Sequence, residues 1–238
     1  MNPSAISQQE VAVLFSGGRD SSLAACIYAL KNYKVHLISF ISGIGIKSEI
    51  SEYRFKELKE MFPEHIMGRV FIPIFGLFRR IAILNIENDF AKYKYNLILV
   101  GEKMAMHAAA IVYCLKRNIV LIADGTSGYQ EDMPEQMPEA INEFRELHRA
   151  YGIEYMTPIR RFHSDDEVKY TLMEIGISTK SLEGISIFAE SFSKPSPDIL
   201  RAYIREKLPL CREFINLMQG NIDDTSSDTL VTVTDPLH

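Results

Sequence analysis

The sequence predicts an α/β protein, a parallel sheet of buried strands with helices on both faces. Two observations carry this expectation. The apolar runs Val11–Phe15, Val35–Ile41 and Ile119–Ala123 are too short for stable helices, and they read as strands buried on both sides. Between them lie stretches with apolar residues at helical spacing, such as Leu23, Ala24, Ile27, Tyr28 and Leu30. Strands and helices alternating in this way build a parallel sheet through crossover connections.

Residues 1–9 are polar and expected to be loose. Val11–Phe15 is the first strand; Gly17 and Gly18 turn the chain, and a helix runs on to Leu30. Val35–Ile41 is the second strand, and Ser42-Gly43-Ile44-Gly45 at its end is either a backbone face for a ring or a plain turn. Residues 49–62 form a surface helix stopped by Pro63. Val70–Ile74 is a third strand, which Pro73 places at a sheet edge or ends. A helix is expected over 78–95. Leu97–Val100 is either a short strand or the start of the next helix, which spans 102–117 with Met104, Ala108, Ile111, Val112 and Leu115 on its apolar face. Ile119–Ala123 is the next buried strand.

After a loop and an acidic, proline-spaced stretch, residues 139–150 are a helix and Ile153–Met156 the last strand. Ser164-Asp165-Asp166-Glu167 is a capping box for a helix that ends at Gly176. Another helix starts around Ser193 and runs to about Lys207, and Pro209 separates it from a last piece over 210–218. Residues 220–238 are rich in Asp, Ser and Thr and read as a flexible tail, in which Leu230–Val233 can pair as an edge strand. The expected organisation is an α/β domain over 1–160, a helical C-terminal extension over 161–219, and the tail.

The 238 residues are 47% hydrophobic and 24% charged, enough for one α/β domain with an appendage and a sizeable core. A formal charge of −5 advertises no large basic face for nucleic acid. Cys26, Cys114 and Cys211 form no C-x-x-C pair; the first two lie in apolar helical patterns and read as buried thiols, whereas Cys211 has a freer context. No signal peptide opens the chain and no apolar run spans a bilayer, so the expectation is no membrane partner and a cytoplasmic protein. The six histidines show no ligand spacing.

The turn Ser16-Gly17-Gly18-Arg19-Asp20-Ser21-Ser22 sits between a strand and a helix. Such a turn aims backbone N–H groups and a helix N-terminus at one place, which is an anion site. Glycines let the main chain approach a phosphate closely. The pattern is neither G-x-x-x-x-G-K-[ST] nor G-x-G-x-x-G. It resembles the S-G-G-x-D-S loop of the PP-loop (N-type) ATP pyrophosphatases, the adenine nucleotide alpha hydrolase-like proteins. That resemblance covers about residues 9–160 and implies a Rossmann-like, HUP-type sheet. It also implies ATP and Mg²⁺, cleavage of ATP between its α and β phosphates, and adenylation of a substrate oxygen.

On that resemblance, Ser16, Gly17, Gly18, Arg19, Asp20, Ser21 and Ser22 bind the β and γ phosphates, with Phe40 and Gly125 as further nucleotide-binding candidates. Arg19 varies within the motif and either meets phosphate or points to solvent. Asp20 either holds Mg²⁺ or caps its helix. Lys103 is the candidate cation, against the alternative of a solvated lysine. Asp20, Lys103 and Asp132 are the catalytic candidates; Asp20, Asp124 and Asp132 are the metal candidates. Tyr129 either stacks on a ring or plugs the sheet edge.

The run Gly128-Tyr129, Asp132 and Pro138-Glu139 (or Pro134-Glu135) loosely resembles a loop of the 7-cyano-7-deazaguanine synthases. Their four zinc cysteines are missing, so no zinc site is expected. Argininosuccinate synthase is similar at the first motif but is a much longer chain. The expected function is ATP-dependent adenylation of a carboxylate or carbonyl oxygen on a small molecule, of deazapurine or nucleobase type, followed by attack of ammonia, an amine or another nucleophile. The alternatives are a thiolation-type enzyme acting on tRNA, which is less favoured, and an ATP-binding module without turnover. Homodimerisation is left open.

Overall fold

The computed structural model describes residues 9–46, 50–182, 185–186 and 194–223. β1 (Glu10–Leu14) leads into α1 (Arg19–Leu30), β2 (Lys34–Ile41) and the two-residue β3 (Gly45–Ile46). Then come α2 (Ser51–Met61), β4 (Ile66–Pro73), the single turn α3 (Phe75–Phe78), a π turn at Arg79–Ile83, and α4 (Ile86–Tyr93). α5 (Ile98–Arg117), β5 (Leu121–Ala123), a 3₁₀ turn at Pro134–Gln136, α6 (Pro138–Arg149) and β6 (Glu154–Met156) complete the sheet. A 3₁₀ turn at Pro158–Arg161, α7 (Asp165–Ile175), β7 (Ile185–Ser186) and α8 (Pro197–Asp223) follow.

The main sheet has the order β4-β2-β1-β5-β6, and all its pairs are parallel. β1 is central, with β2 and β4 added on one side and β5 and β6 on the other, so the order of strand addition reverses between β1 and β5. That is where a doubly wound sheet opens a crevice beyond its strand ends. β4 is an edge strand whose last residue, Pro73, pairs with Ile41, so the proline removes no hydrogen bond inside the sheet. β3 and β7 form a separate antiparallel pair.

Two apolar layers sandwich the sheet. One face of β1 (Val11, Val13) packs with α1, Leu58 of α2, and Val168 and Leu172 of α7. The other face (Ala12, Leu14) packs with α5, α6 and α8. Each fully buried aliphatic side chain contributes roughly 1.5–3 kcal/mol. α7 and α8 supply residues to one layer each, so the C-terminal extension completes both faces of the domain. α5 is long and apolar enough to cross a bilayer by length and composition, but it lies mostly buried between the sheet and α8 as a core helix.

Several boundaries differ from expectation for local reasons. Leu97–Val100 is the start of α5, where the Asn96 side chain accepts a hydrogen bond from the Ile98 N–H (3.1 Å). The helix expected over 78–95 is broken into the π turn and α4, and leaves Leu84, Ile86 and Phe90 exposed. α8 runs straight through Pro209, whose ring costs a helical hydrogen bond. Burial of Leu208, Cys211 and Ile215 against the core offsets that cost. Cys211 is therefore fully buried, not free. Ser164 caps α7 by accepting from Glu167 N–H, while the Glu167 carboxylate takes the His163 N–H, one residue outside the expected box. Residues 1–8 and the proposed strand at 230–233 lie outside the described residues.

Behind the sheet's C-terminal edge, His107 (α5) and His148 (α6) are fully buried, 5.0 Å apart at their ring centres. His107 stacks on Phe144, and His148 on Tyr155. His148 Nδ1 donates to the Phe144 carbonyl (2.7 Å), whereas its Nε2 and both nitrogens of His107 have no hydrogen-bond partner among the described residues. Burial holds both rings neutral, pulling His148 down to about 4 and His107 well below the ordinary value. Unfolding exposes imidazoles that titrate at 6.5, so the unfolded chain takes up protons first as pH falls. The stability these rings contribute is complete above pH 6.5 and is lost on the way down to about pH 4. The loss is roughly 3 kcal/mol for His148 alone. In urea denaturation, the double variant His107→Phe/His148→Phe should lose less stability than the wild type over that window. Parallel pH curves for the two proteins would contradict this account.

Candidate functional site

The turn after β1 is closed by its own serines. Ser16 Oγ accepts from Gly18 N–H (3.1 Å) and lies 3.1 Å from Ser21 Oγ, which also accepts from Ser16 N–H (3.3 Å). Ser21 and Ser22 both donate to the Gly18 carbonyl (3.2 and 2.6 Å). Gly18 is the N-cap of α1, and helix geometry leaves the N–H groups of Arg19, Asp20 and Ser21 without intrahelical partners. Two expectations change here. Ser22 is fully buried and committed to the Gly18 carbonyl, so it ties the turn rather than facing a ligand. Asp20 is not the cap; it sits one turn position inside the helix and accepts from the Tyr129 hydroxyl (2.7 Å).

Gly17 adopts φ +87°, a conformation that a side chain strains, and a Cβ there would lie 2.4 Å from both the Leu182 carbonyl and the Ser51 Cβ. The turn is thus clamped against α2 and the segment after α7. Arg54, fully buried on α2, fixes that segment by donating to the Ser178 and Lys180 carbonyls. Arg69 of β4 lies on the rings of Phe15 and Phe71 and donates to Ser39 and Ser51. Ser39 in turn donates to the Phe15 carbonyl (2.7 Å), just before the turn.

The loop after β5 abuts the first turn of α1. A Cβ on Gly125 would lie 2.5 Å from Ser21 N, so this glycine permits close packing of the two loops. Asp124, buried, accepts from Thr126 N–H (3.0 Å), Thr126 Oγ (2.8 Å) and Tyr155 Oη (2.8 Å), and pairs with Lys103 Nζ (3.0 Å). Burial works to raise its pKa, but Lys103, the Thr126 amide and Tyr155 outweigh it, and the carboxyl sits below its usual value. Lys103 also donates to Thr126 Oγ (2.6 Å) and is only 13% exposed. It is a placed cation, not a solvated one.

Between the loops lies a polar cavity of about 280 Å³. Ser16, Arg19, Asp20 and Ser21 form its floor, Tyr129 and Gln130 one wall, and Asp165 of α7 another. Arg19 pairs with Asp165 (3.0 Å) and donates to the Thr179 carbonyl (3.4 Å). Of the sequence candidates, the structure brings together Ser16, Gly17, Gly18, Arg19, Asp20, Ser21 and Gly125, with Asp124 and Lys103 adjacent. It does not bring in Asp132, whose carboxylate is 92% exposed and pairs with Lys194. Phe40, near the end of β2, packs against the main core.

Two more carboxylates lie near Lys103 outside the cavity lining, Glu102 beside it on α5 and Glu135 in the Pro134–Gln136 turn. Burial raises both pKa values; Glu102 also bonds Ser42 and feels Glu135, while Glu135 feels Lys103. Their places beside Lys103 on α5 and in the Pro134–Gln136 turn were visible only as sequence neighbours. Asp165 was read as part of a cap, and Tyr155 as a strand residue; neither carries a local signal for a loop-edge role.

No family model matches the chain, and no curated protein matches it. Among solved structures, a 4-thiouridine synthetase in complex with RNA and bound ATP superposes with a TM-score of 0.58 at 17% identity. The match covers 87% of this chain and 53% of that one. NMN synthetase from Francisella tularensis superposes with a TM-score of 0.51 at 12% identity, over 95% of this chain and 90% of that one. The chain shares the fold of these two synthetases. A protein described as a predicted subunit of a tRNA methyltransferase from Methanocaldococcus jannaschii also matches, at 24% identity and a TM-score of 0.44, over 72% of this chain and 90% of that one. In this fold the S-G-G-x-D-S turn stands at the end of the central strand β1, beside the point where the order of strand addition reverses.

The clamp on Gly17 makes a structural prediction. A Cβ at residue 17 would meet Leu182 and Ser51 before it could meet any ligand. Gly17→Ala should therefore destabilise the fold itself, by roughly 2 kcal/mol or more, from positive φ and overpacking together. Thermal denaturation without ligand measures this, and an unchanged midpoint would show that the turn is not clamped.

Proposed function

We propose that the chain is an ATP-dependent adenylating enzyme that forms AMP and pyrophosphate while activating an oxygen of a small molecule. The observation that carries this proposal is the polar cavity at the S-G-G-x-D-S turn, lined by the start of α1, with Lys103 held by Asp124 and Thr126 in the loop whose Gly125 packs on that turn. The β and γ phosphates fit the backbone cradle of residues 16–21. A carboxylate or carbonyl oxygen of the substrate attacks the α phosphorus; the α–β bridging bond breaks and pyrophosphate leaves. Lys103, 13% exposed and steadied by Asp124 and Thr126, offsets the charge that develops on the phosphoryl oxygens.

Asp20 is the carboxylate that fits Mg²⁺, because it lines the cavity and a magnesium ion needs few protein oxygens once phosphates supply the rest. When bound, the ion would neutralise phosphate charge. Asp124 fits that duty poorly, since its oxygens are taken up by Lys103, Thr126 and Tyr155. Among the described residues no group of three or more His, Cys, Asp or Glu forms a self-sufficient metal cluster. A deazapurine or other nucleobase-like acid remains within this proposal.

Sulfur transfer to tRNA is disfavoured by the thiols. All three cysteines are buried, and burial pushes Cys26 and Cys211 up to about 12, so neither supplies a thiolate. Pyrophosphate release from MgATP, screened with carboxylic acids, deazapurines and tRNA, tests the proposal. Substrate-dependent AMP is the expected product, and ADP with phosphate, or no turnover with any substrate class, would count against it. Asp20→Ala and Lys103→Met should each lower AMP formation by about 100-fold or more; Asp20→Ala leaves thermal stability near wild type, whereas Lys103→Met also lowers the thermal midpoint because it strips buried Asp124 of its counter-charge. AMP formation at the wild-type rate in either variant removes that residue from the mechanism.

A further inference from the structure

Arg19 is the only basic side chain among the described residues lining the cavity, and its guanidinium is held by partners outside the turn. Its guanidinium pairs with Asp165 Oδ1 at 3.0 Å and reaches the Thr179 carbonyl at 3.4 Å. Asp165 is the first residue of α7 and has a second cationic partner, since its Oδ2 lies 2.8 Å from Lys169 Nζ. Losing Arg19 would therefore leave the carboxylate paired and near a helix N-terminus that favours negative charge. Both side chains of the Arg19–Asp165 pair keep some solvent contact, at 26% and 34% exposure, so the pair can open without a core rearrangement. A phosphate group presents more charge than a carboxylate and matches the guanidinium fork with two oxygens.

We propose that Asp165 is an exchangeable counter-anion for Arg19. Before polyphosphate arrives it holds the guanidinium; when polyphosphate enters, Arg19 swings to it and Asp165 falls back on Lys169 and the start of α7. The exchange makes every polyphosphate contact with Arg19 cost a displaced ion pair. Asp165 thereby weakens retention of pyrophosphate, and its return to Arg19 helps that product leave. This inference rests on the polyphosphate cradle proposed above and names the residue outside the motif that sets its affinity.

Calorimetric titration with inorganic pyrophosphate in the presence of MgCl₂ separates the possibilities. Asp165→Asn should tighten binding by about fivefold, the weight of a half-exposed ion pair. Asp165→Ser, which also lacks the charge, should act in the same direction. Mere removal of a negative charge from the cavity wall would tighten binding whatever residue 19 is. The decisive arm is therefore the Arg19→Met background, where Asp165→Asn should change affinity by less than about twofold. Equal tightening in both backgrounds, no change, or weaker binding in the otherwise wild-type protein overturns the exchange while leaving the cradle standing. If neither the wild type nor any variant binds pyrophosphate or MgATP, the cradle itself fails, and this inference fails with it. Thermal midpoints of the variants, expected to stay within a few degrees of wild type, show that α7 remains in place.

Discussion

The structure depends on a chain reversal made in a few residues at the end of a strand with neighbours on both sides. A turn in that position has polar main-chain groups and little room, and every one of them needs a partner or an exit. Here the serine hydroxyls close the turn on itself through Gly18, and Gly17 takes the left-handed conformation that the path requires. The first N–H groups of α1 then point where no part of the helix can use them. That opening of the helix is a consequence of finishing the strand this way. Arg54, Arg69 and Ser39 hold the surrounding backbone so that the geometry is in place before any ligand binds.

The second loop shows how one buried carboxylate can be spent. An aspartate at a strand end beside a phosphate site suggests a metal ligand. Asp124 instead lies beneath Gly125, saturated by an amide, two hydroxyls and an ammonium group. Its work is to fix Lys103 and Thr126 at the edge of the cradle. The close contact of Gly125 with the backbone of Asp20 and Ser21 couples this arrangement directly to the turn. The site therefore consists of two loops from neighbouring strands locked to each other, and the reversal in the order of strand addition is what sets them side by side.

Much of this was legible in the sequence, for identifiable reasons. Buried parallel strands read as apolar runs, so β1, β2 and β5 stood out, and the S-G-G-x-D-S turn was visible because its glycines and hydroxyl residues are contiguous in the chain. Lys103 and Asp124 were found as charged residues at element ends. What stayed hidden depends on distance in space. Nothing near Asp132 in the chain says that the Glu131–Glu139 stretch carries its carboxylate out to Lys194. The run of α8 through Pro209 follows from burial against α5 and α6, and a helix-breaking rule cannot see it. Cys211 looked free for the same reason. Asp165 presents itself as a helix start, and only the fold turns it toward Arg19.

The central claim is that a main-chain cradle at residues 16–21 grips the polyphosphate of a nucleotide. A crystal structure with an ATP analogue whose α–β bridge cannot be cleaved tests it most directly. The account predicts the β and γ phosphates in the 280 Å³ cavity, within hydrogen-bond reach of the amides at the start of α1, and the α phosphate on the side of Lys103. An analogue seated elsewhere, for example in the 450 Å³ apolar hollow beside Phe90 and Tyr203, with the turn unoccupied, would contradict it.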